Sequence, residues 1–148
     1  MDKETCFPYP YRLLVIDKNN KIIRWQDDIL TMMKSHKDLI VWKKSMALVK
    51  RVYEVTRFFP REELIGITSQ MRRAAVSIPS NIAEGYGRLS DKETSRFLGI
   101  SLGSASELET QLLLSVELGF ASEMELNELL ILNQEVIRML VSLAKKIG

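Results

Sequence analysis

The residues of this chain that could carry chemistry are charged side chains rather than metal ligands or nucleophiles. The sequence holds one histidine, His36, and one cysteine, Cys6, thirty residues apart. Zinc sites usually take four Cys or His ligands, and a di-iron bundle needs Glu-x-x-His pairs that are absent here. A Ser-His-Asp triad would have to use His36, and no glycine loop of the phosphate-binding type follows a strand. We therefore expect no metal, no cofactor, no small-molecule substrate and no catalytic residue, so that the protein is not an enzyme.

Basic residues instead form the first group of interest. Residues 34–73 carry ten Lys or Arg and four Asp or Glu, whereas residues 74–148 carry six and ten. The candidate phosphate-contacting residues are Lys43, Lys44, Lys50, Arg51, Arg57 and Arg88. A surface of this kind would bind nucleic acid in a salt-dependent way. The alternatives are a solvated helix face without function, or attraction between helices of the same protein.

Opposite charges on two neighbouring predicted helices form the second group. Arg72 and Arg73 lie among apolar residues of the second helix, and Glu107 and Glu109 lie among those of the third. Helices that follow each other should run antiparallel, so arginine–carboxylate pairs could set the register within or between subunits. The functional alternatives are a catalytic carboxylate or phosphate-binding arginines.

Four helices should position these residues. The first is predicted from about Lys37 to Phe58, capped by Ser35, and the second from about Glu62 to Tyr86, with Gly66 able to split off its first turn. An apolar stripe on the first helix comprises Leu39, Trp42, Met46, Val49, Tyr53 and Thr56, so Trp42 and Tyr53 are expected in the core.

A proline lies inside the second helix. Pro79 removes a backbone donor and should kink the helix near Ala75 and Val76. Asn81 and Glu84 follow the kink and could serve the backbone groups that it frees, or simply stabilise the turn.

The third and fourth helices begin at two similar signals. Ser90–Glu93 and Ser122–Glu125 both read as capping boxes, and Gly119 between the helices fits the left-handed position that ends a helix. The third helix is predicted to reach Leu118 and the fourth about Ile147. The fourth carries a register of Leu126, Leu129, Asn133, Val136, Leu140, Leu143 and Ile147.

Short connections predict an all-α, antiparallel up-down-up-down four-helix bundle over residues 34–148. Residues 1–33 form an N-terminal extension, in which Arg12–Ile16 and Lys21–Trp25 could pair as a β-hairpin. No run of about 18 apolar residues predicts a membrane span. No signal peptide is recognised, and the single cysteine fits a reducing compartment, so a cytoplasmic protein is expected.

The third and fourth helices carry more apolar surface than one core covers. Leu112–Leu114 spread over about 200° of a helix and Leu129–Leu132 over about 300°. Leu113 and Leu130 are therefore expected to belong to a second buried face, most simply one of self-association. The alternative is a thick core with scattered exposed leucines.

Residues 68–120 closely resemble the four helix bundle protein family, also known as the intervening-sequence proteins of large-subunit ribosomal RNA. The segments SIPSNIAEG and GSASELETQL are the most specific, and HKDLIVWKKSMALVKRVYEVTRFFP resembles the family's first helix. The resemblance covers about residues 36–148. It implies an up-down bundle that assembles as a homo-oligomer, a pentamer in the known members. Family chains usually begin near Lys37. Either a start at Met1 is too early and the natural start is Met32 or Met33, or residues 1–33 are an added element.

A related group, the accessory variability determinants of diversity-generating retroelements, assists reverse transcriptases and binds nucleic acid with a basic surface. The resemblance thus implies RNA or a reverse transcriptase as a partner in a bacterial setting. The expected function is that of a non-enzymatic oligomeric bundle acting as an RNA-binding accessory or scaffold. The alternative is a protein–protein interaction module with no nucleic-acid role.

Overall fold

The computed structural model describes residues 35–147 and, before them, only the backbone of two dipeptides. These are β1 (Val15–Ile16) and β2 (Ile22–Ile23), which pair antiparallel with Val15 opposite Ile23. The rest of the predicted hairpin lies outside the described residues, so the hairpin as a whole stays a prediction. The chain divides into two units, Met1–Lys34 and Ser35–Gly148.

The second unit contains the four predicted helices. They are α1 (Ile40–Val55), α2 (Ile67–Tyr86), α3 (Asp91–Glu117) and α4 (Glu123–Ile147). The residues predicted as the first turns of the first two helices form short 3₁₀ turns instead, at His36–Asp38 and Arg61–Leu64. Gly66 separates the second of these turns from α2, as expected, and α2 continues unbroken through Pro79.

Contacts between α1 and α4 show the direction of the chain. Lys44 bonds to Glu135 and Arg51 bonds to Glu128, so a step of seven residues forward on α1 matches seven backward on α4. Each helix packs against its two neighbours in the order α1, α2, α3, α4 and back to α1. The all-α up-down-up-down bundle is therefore confirmed.

The core takes apolar side chains from every helix. Its largest fully buried members are Leu48, Val52, Met71, Ile78, Ile82, Leu98, Leu108, Leu112, Leu126, Leu129, Val136 and Leu140. Burial of one such side chain stabilises the fold by about 1.5–3 kcal/mol. Two buried polar side chains join helices across this core: Ser101 donates to the carbonyl of Ile78 and Asn133 donates to that of Ala105, both at 2.9 Å.

The buried face of α1 differs from the predicted stripe by about one residue. It consists of Val41, Ser45, Leu48 and Val52. Sequence reasoning missed it because a serine interrupts the apolar row, yet the Ser45 hydroxyl donates to the carbonyl of Trp42 at 2.7 Å and is thereby satisfied. Trp42 is partly buried against the core. The expectation that Tyr53 is a core residue is wrong, since its exposed fraction is 40%.

The register predicted for α4 is confirmed, because Leu126, Leu129, Asn133, Val136 and Leu140 are all buried. Gly119 has the predicted left-handed backbone, with a φ of 73°. Leu113 remains about half exposed, as expected, whereas Leu130 is partly buried against the core. No helix among the described residues combines the length and the apolar character that crossing a bilayer needs.

Candidate nucleic-acid interface

The outward side of α1 presents alternating basic and apolar residues. Lys43, Met46, Lys50 and Tyr53 recur at steps of three and four residues, which places them on one side of α1, and Arg57 continues the spacing just beyond the end of the helix at Val55. All five are exposed. We use "basic face" for Lys43, Lys50 and Arg57 of this stripe together with Arg72 and Arg73 of α2.

Two of the predicted phosphate-contacting residues point toward α4 and are already paired. Lys44 Nζ lies 2.9 Å from Glu135 Oε2, and Arg51 lies 3.1 Å from Glu54 and 2.8 Å from Glu128. Their charges are largely balanced within the protomer, so they contribute little to an anion-binding surface.

Arg88 is separated from the basic face. It follows α2, forms an ion pair with Glu84 one turn earlier, and its guanidinium lies 4.8 Å from the ring centre of Phe97. Because α1 and α2 run antiparallel, Arg88 lies at the end of the bundle opposite to Arg57.

The cations of the α1 stripe are much freer. Lys50 approaches Glu54 only to 3.9 Å and its side chain is 79% exposed. Lys43 and Arg57 form no ion pair within residues 35–147. Exposed ion pairs contribute about 0–1 kcal/mol, so the loose contact of Lys50 exchanges readily for an external anion.

Arg72 is held at the junction of α1 and α2. Its Cζ lies 4.7 Å from the ring centre of Tyr53, and its Nε donates to Thr56 Oγ1 at 2.9 Å. Neither of its Nη groups has a hydrogen-bond partner among residues 35–147. The guanidinium is thus fixed at two points while its outer edge keeps its donors available.

Beside Arg72 lies an open cleft of about 490 Å³, formed by α1, α2 and α3. Its lining includes Tyr53, Gln70, Arg72, Arg73, Ser77, Ser104 and Glu107. Sequence reasoning assigned Tyr53 to the core and gave Gln70 no role, although the spacing of Tyr53 relative to Lys50 and Arg57 was a usable signal.

Hydroxyl groups form a directed chain along one wall of the cleft. Asn81 Nδ2 donates to Ser77 Oγ at 2.9 Å, and Ser104 Oγ donates to the carbonyl of Ile100 at 3.0 Å. The oxygens of the two serines are 2.8 Å apart, so one hydroxyl donates to the other. Asn81, expected beside the Pro79 kink, thus orders this wall.

The predicted arginine–glutamate pairs do not form within the described part of the chain. Glu107 accepts a hydrogen bond from Gln111 at 2.9 Å, and Glu109 accepts one from Gln134 at 3.2 Å. Arg72 and Arg73 have no carboxylate partner among residues 35–147. Pairing between subunits stays a prediction.

The arrangement offers donors and positive charge rather than a reactive centre. Among the described residues, no three potential metal-ligating side chains come together. Arginine and lysine beside an exposed aromatic ring are suited to phosphate oxygens and to the flat faces of bases.

Comparisons with known proteins agree with the helical architecture. A family model described as 23S rRNA-intervening sequence protein matches residues 37–142. A crystal structure from Bacteroides thetaiotaomicron, of a protein with unknown function from the S23 ribosomal protein family, has a TM-score of 0.67 and 24% sequence identity. The matched region covers 72% of this chain and 99% of that protein. At this level of identity the similarity shows a shared fold. No curated protein matches the sequence.

Proposed function

This chain belongs to the 23S rRNA-intervening sequence protein family, and on that premise we propose that it is a cytoplasmic, non-catalytic accessory protein that binds structured RNA and acts as a homo-oligomer. Membership confirms the resemblance inferred from residues 68–120. The observation that carries the proposal is the basic face, whose cations mostly have no ion pair among residues 35–147 and include Arg72 stacked on the exposed ring of Tyr53.

The length of this surface suits an RNA backbone. Lys43 and Tyr53 are separated by about 15 Å along α1 at 1.5 Å per residue, enough to follow several phosphates. Contacts of this kind position RNA without reading its sequence, and they release counterions when they form. Binding should therefore weaken steeply with salt and depend on the free cations rather than on the paired ones.

Exposed apolar side chains on the opposite part of the bundle support self-association. Leu113 and Leu114 of α3 and Ile131 of α4 are each about half exposed, and a contact surface between subunits would cover them. A homo-oligomer repeats the basic face in each protomer, and several weak RNA contacts on one particle add up to strong binding. A pentamer, which the family resemblance implies, is the stoichiometry we propose.

The direct test measures RNA binding of the full chain by fluorescence anisotropy over a range of salt concentrations, with a hairpin of ribosomal type as the probe. The double variant Lys50→Gln, Arg57→Gln should bind about tenfold more weakly, and its dependence of log Kd on log salt should be shallower by about two. Native mass spectrometry of the same samples reports whether the homo-oligomer is intact.

The matched control is the double variant Lys44→Gln, Arg51→Gln, which likewise removes one lysine and one arginine from the same stretch of chain. Because Glu135 and Glu128 already balance these cations, RNA affinity should change less than about threefold. Equal losses in the two double variants, or binding of the wild type that ignores salt, would contradict the proposal.

A protein-interaction module without RNA is the second candidate function. One end of the bundle exposes the apolar side chains of Phe58 by 88%, Ile65 by 89% and Met124 by 85%, which favours a protein partner at this end. A reverse transcriptase, which the resemblance to accessory variability determinants implies, stays a predicted partner of this kind. Absence of salt-dependent RNA binding, together with loss of a protein partner in Phe58→Ser, would favour this candidate.

A further inference from the structure

We propose that the cleft between α1, α2 and α3 holds one unpaired nucleotide of the bound RNA, with its phosphate on Arg72 and its base toward Gln70 and Glu107. The inference rests on the proposed RNA-binding function and adds to it a ligand class that the basic face alone does not specify. It predicts preference for RNA with a bulged nucleotide over a continuous duplex.

The phosphate end is defined by how Arg72 is held. Stacking on Tyr53 and the bond from Nε to Thr56 fix the guanidinium before any ligand arrives. The two Nη groups, which have no partner among residues 35–147, then form a planar fork that matches two oxygens of one phosphate. Little side-chain entropy is lost on binding, because the side chain is already ordered. Arg73 adds a second positive charge at the same cleft.

The base end is defined by charge. Arg72 is held against α1, whereas Glu107 belongs to α3, on the other side of α2. A phosphate is repelled from the Glu107 wall, but the amino and imino N–H groups of a base are attracted to a carboxylate. The amide of Gln70 supplies both a donor and an acceptor. The nucleotide therefore has a preferred orientation.

Size and exposure favour a single nucleotide. The cleft volume of about 490 Å³ lies within the range of about 300–1,000 Å³ that is usual for small-ligand sites. The bases of a continuous RNA duplex are stacked inside the duplex and cannot enter the cleft. An unpaired base can leave the stack and reach protein side chains. The hydroxyls of Ser77 and Ser104 already bond to each other, so we assign base recognition to Gln70 and Glu107.

The experiment compares two RNA hairpins of the same stem, one fully paired and one with a single bulged nucleotide, by anisotropy at one salt concentration. The wild type should bind the bulged hairpin about tenfold more tightly, since hydrogen bonds from one base to Gln70 and Glu107 contribute about 1–3 kcal/mol. Arg72→Lys keeps the charge but loses the fork, and Tyr53→Leu removes the ring. Both variants should reduce the preference to about twofold while still binding the paired hairpin.

The controls separate this inference from the proposed function. Arg51→Lys makes the same substitution at a paired arginine and should keep the tenfold preference. Equal wild-type binding of both hairpins would overturn the nucleotide site alone, and no salt-dependent binding of either would overturn the proposed function. Loss of the oligomer in Arg72→Lys by native mass spectrometry would place Arg72 at a subunit contact instead. A nucleoside monophosphate that competes as strongly as the bulged RNA would overturn RNA as the source of the ligand.

Discussion

The hydroxyl of Thr56 accepts a hydrogen bond from Arg72 Nε at 2.9 Å. The same hydroxyl donates to the carbonyl of Val52 at 2.8 Å, and Thr56 is only 3% exposed. A buried group at the end of α1 therefore orients a charged side chain of α2. Because the Nε position fixes the plane of the guanidinium, the packing of the bundle determines where the free Nη donors point.

Replacing this threonine should affect both stability and RNA discrimination. Thr56→Val keeps the shape but leaves Nε without its acceptor, so the free energy of unfolding should fall by about 1 kcal/mol. The preference for a bulged hairpin should also decrease, because the arginine fork is no longer held. Denaturant unfolding and anisotropy measure the two effects. Thr110→Val is the control: within residues 35–147 the Thr110 hydroxyl bonds only to the carbonyl of Ser106, on an exposed side of α3, and the substitution should change stability by less than about 0.5 kcal/mol.

Features that depend on neighbouring residues in the chain were predictable. The left-handed Gly119, the cap at Ser122 and the register of α4 follow from local backbone chemistry and from an uninterrupted apolar pattern. The buried face of α1 was not predictable, because Ser45 occupies a core position and a count of apolar residues omits it.

The candidate interface was only partly predictable for a different reason. Lys43, Lys50 and Arg57 were recognised, but so were Lys44 and Arg51, whose acidic partners lie 91 and 77 residues away in sequence. No local pattern distinguishes a paired cation from an unpaired one when the partner is on another helix. The contact of Arg72 with Tyr53 likewise depends on how α1 and α2 are rotated against each other.

The buried amide of Asn133 should tolerate a carboxylate poorly. Its Nδ2 donates to the carbonyl of Ala105 at 2.9 Å, and its Oδ1 has no protein partner among the described residues. Asn133→Asp places an acceptor against that carbonyl and buries a charge, so the free energy of unfolding should fall by about 3 kcal/mol or more near neutral pH. Asn127→Asp makes the same change at an exposed position of α4. Similar unfolding curves for the two variants would show that Asn133 is accessible to water.

Substituting alanine at two helix glycines should change the stability of the protein in opposite directions. A Cβ at Gly85 would lie 2.9 Å from Phe97 Cβ and 3.2 Å from the carbonyl oxygen of Thr94, so Gly85→Ala should destabilise by about 1–3 kcal/mol. A Cβ at Gly99 meets no atom of the described residues within 4 Å, so Gly99→Ala should stabilise α3 by about 0.5–1 kcal/mol. Thermal unfolding of both variants measures the difference. Destabilisation by Gly99→Ala would mean that another chain packs closely on this part of α3.

The cap of α4 makes stability depend on pH. Ser122 donates to Glu125 Oε2 from its backbone N–H at 2.8 Å and from its hydroxyl at 2.7 Å, and these bonds lower the pKa of Glu125 from its ordinary value of 4.5. A carboxylate whose pKa is depressed by folding stabilises the native state above its unfolded pKa and loses that contribution as pH falls through the folded pKa.

The wild type should therefore be more stable than Glu125→Gln at neutral pH, and the difference should disappear as the pH falls below 4.5. Glu93→Gln is the matched control in the first turn of α3. There Ser90 caps the helix, but the carboxylate of Glu93 lies 3.4 Å from Arg96 rather than bonding back to the cap. At neutral pH, Glu93→Gln should lower the free energy of unfolding less than Glu125→Gln does, because no reciprocal bond is broken. A stability difference for Glu125→Gln that persists unchanged into acid would mean that the glutamate acts by packing and not by its charge.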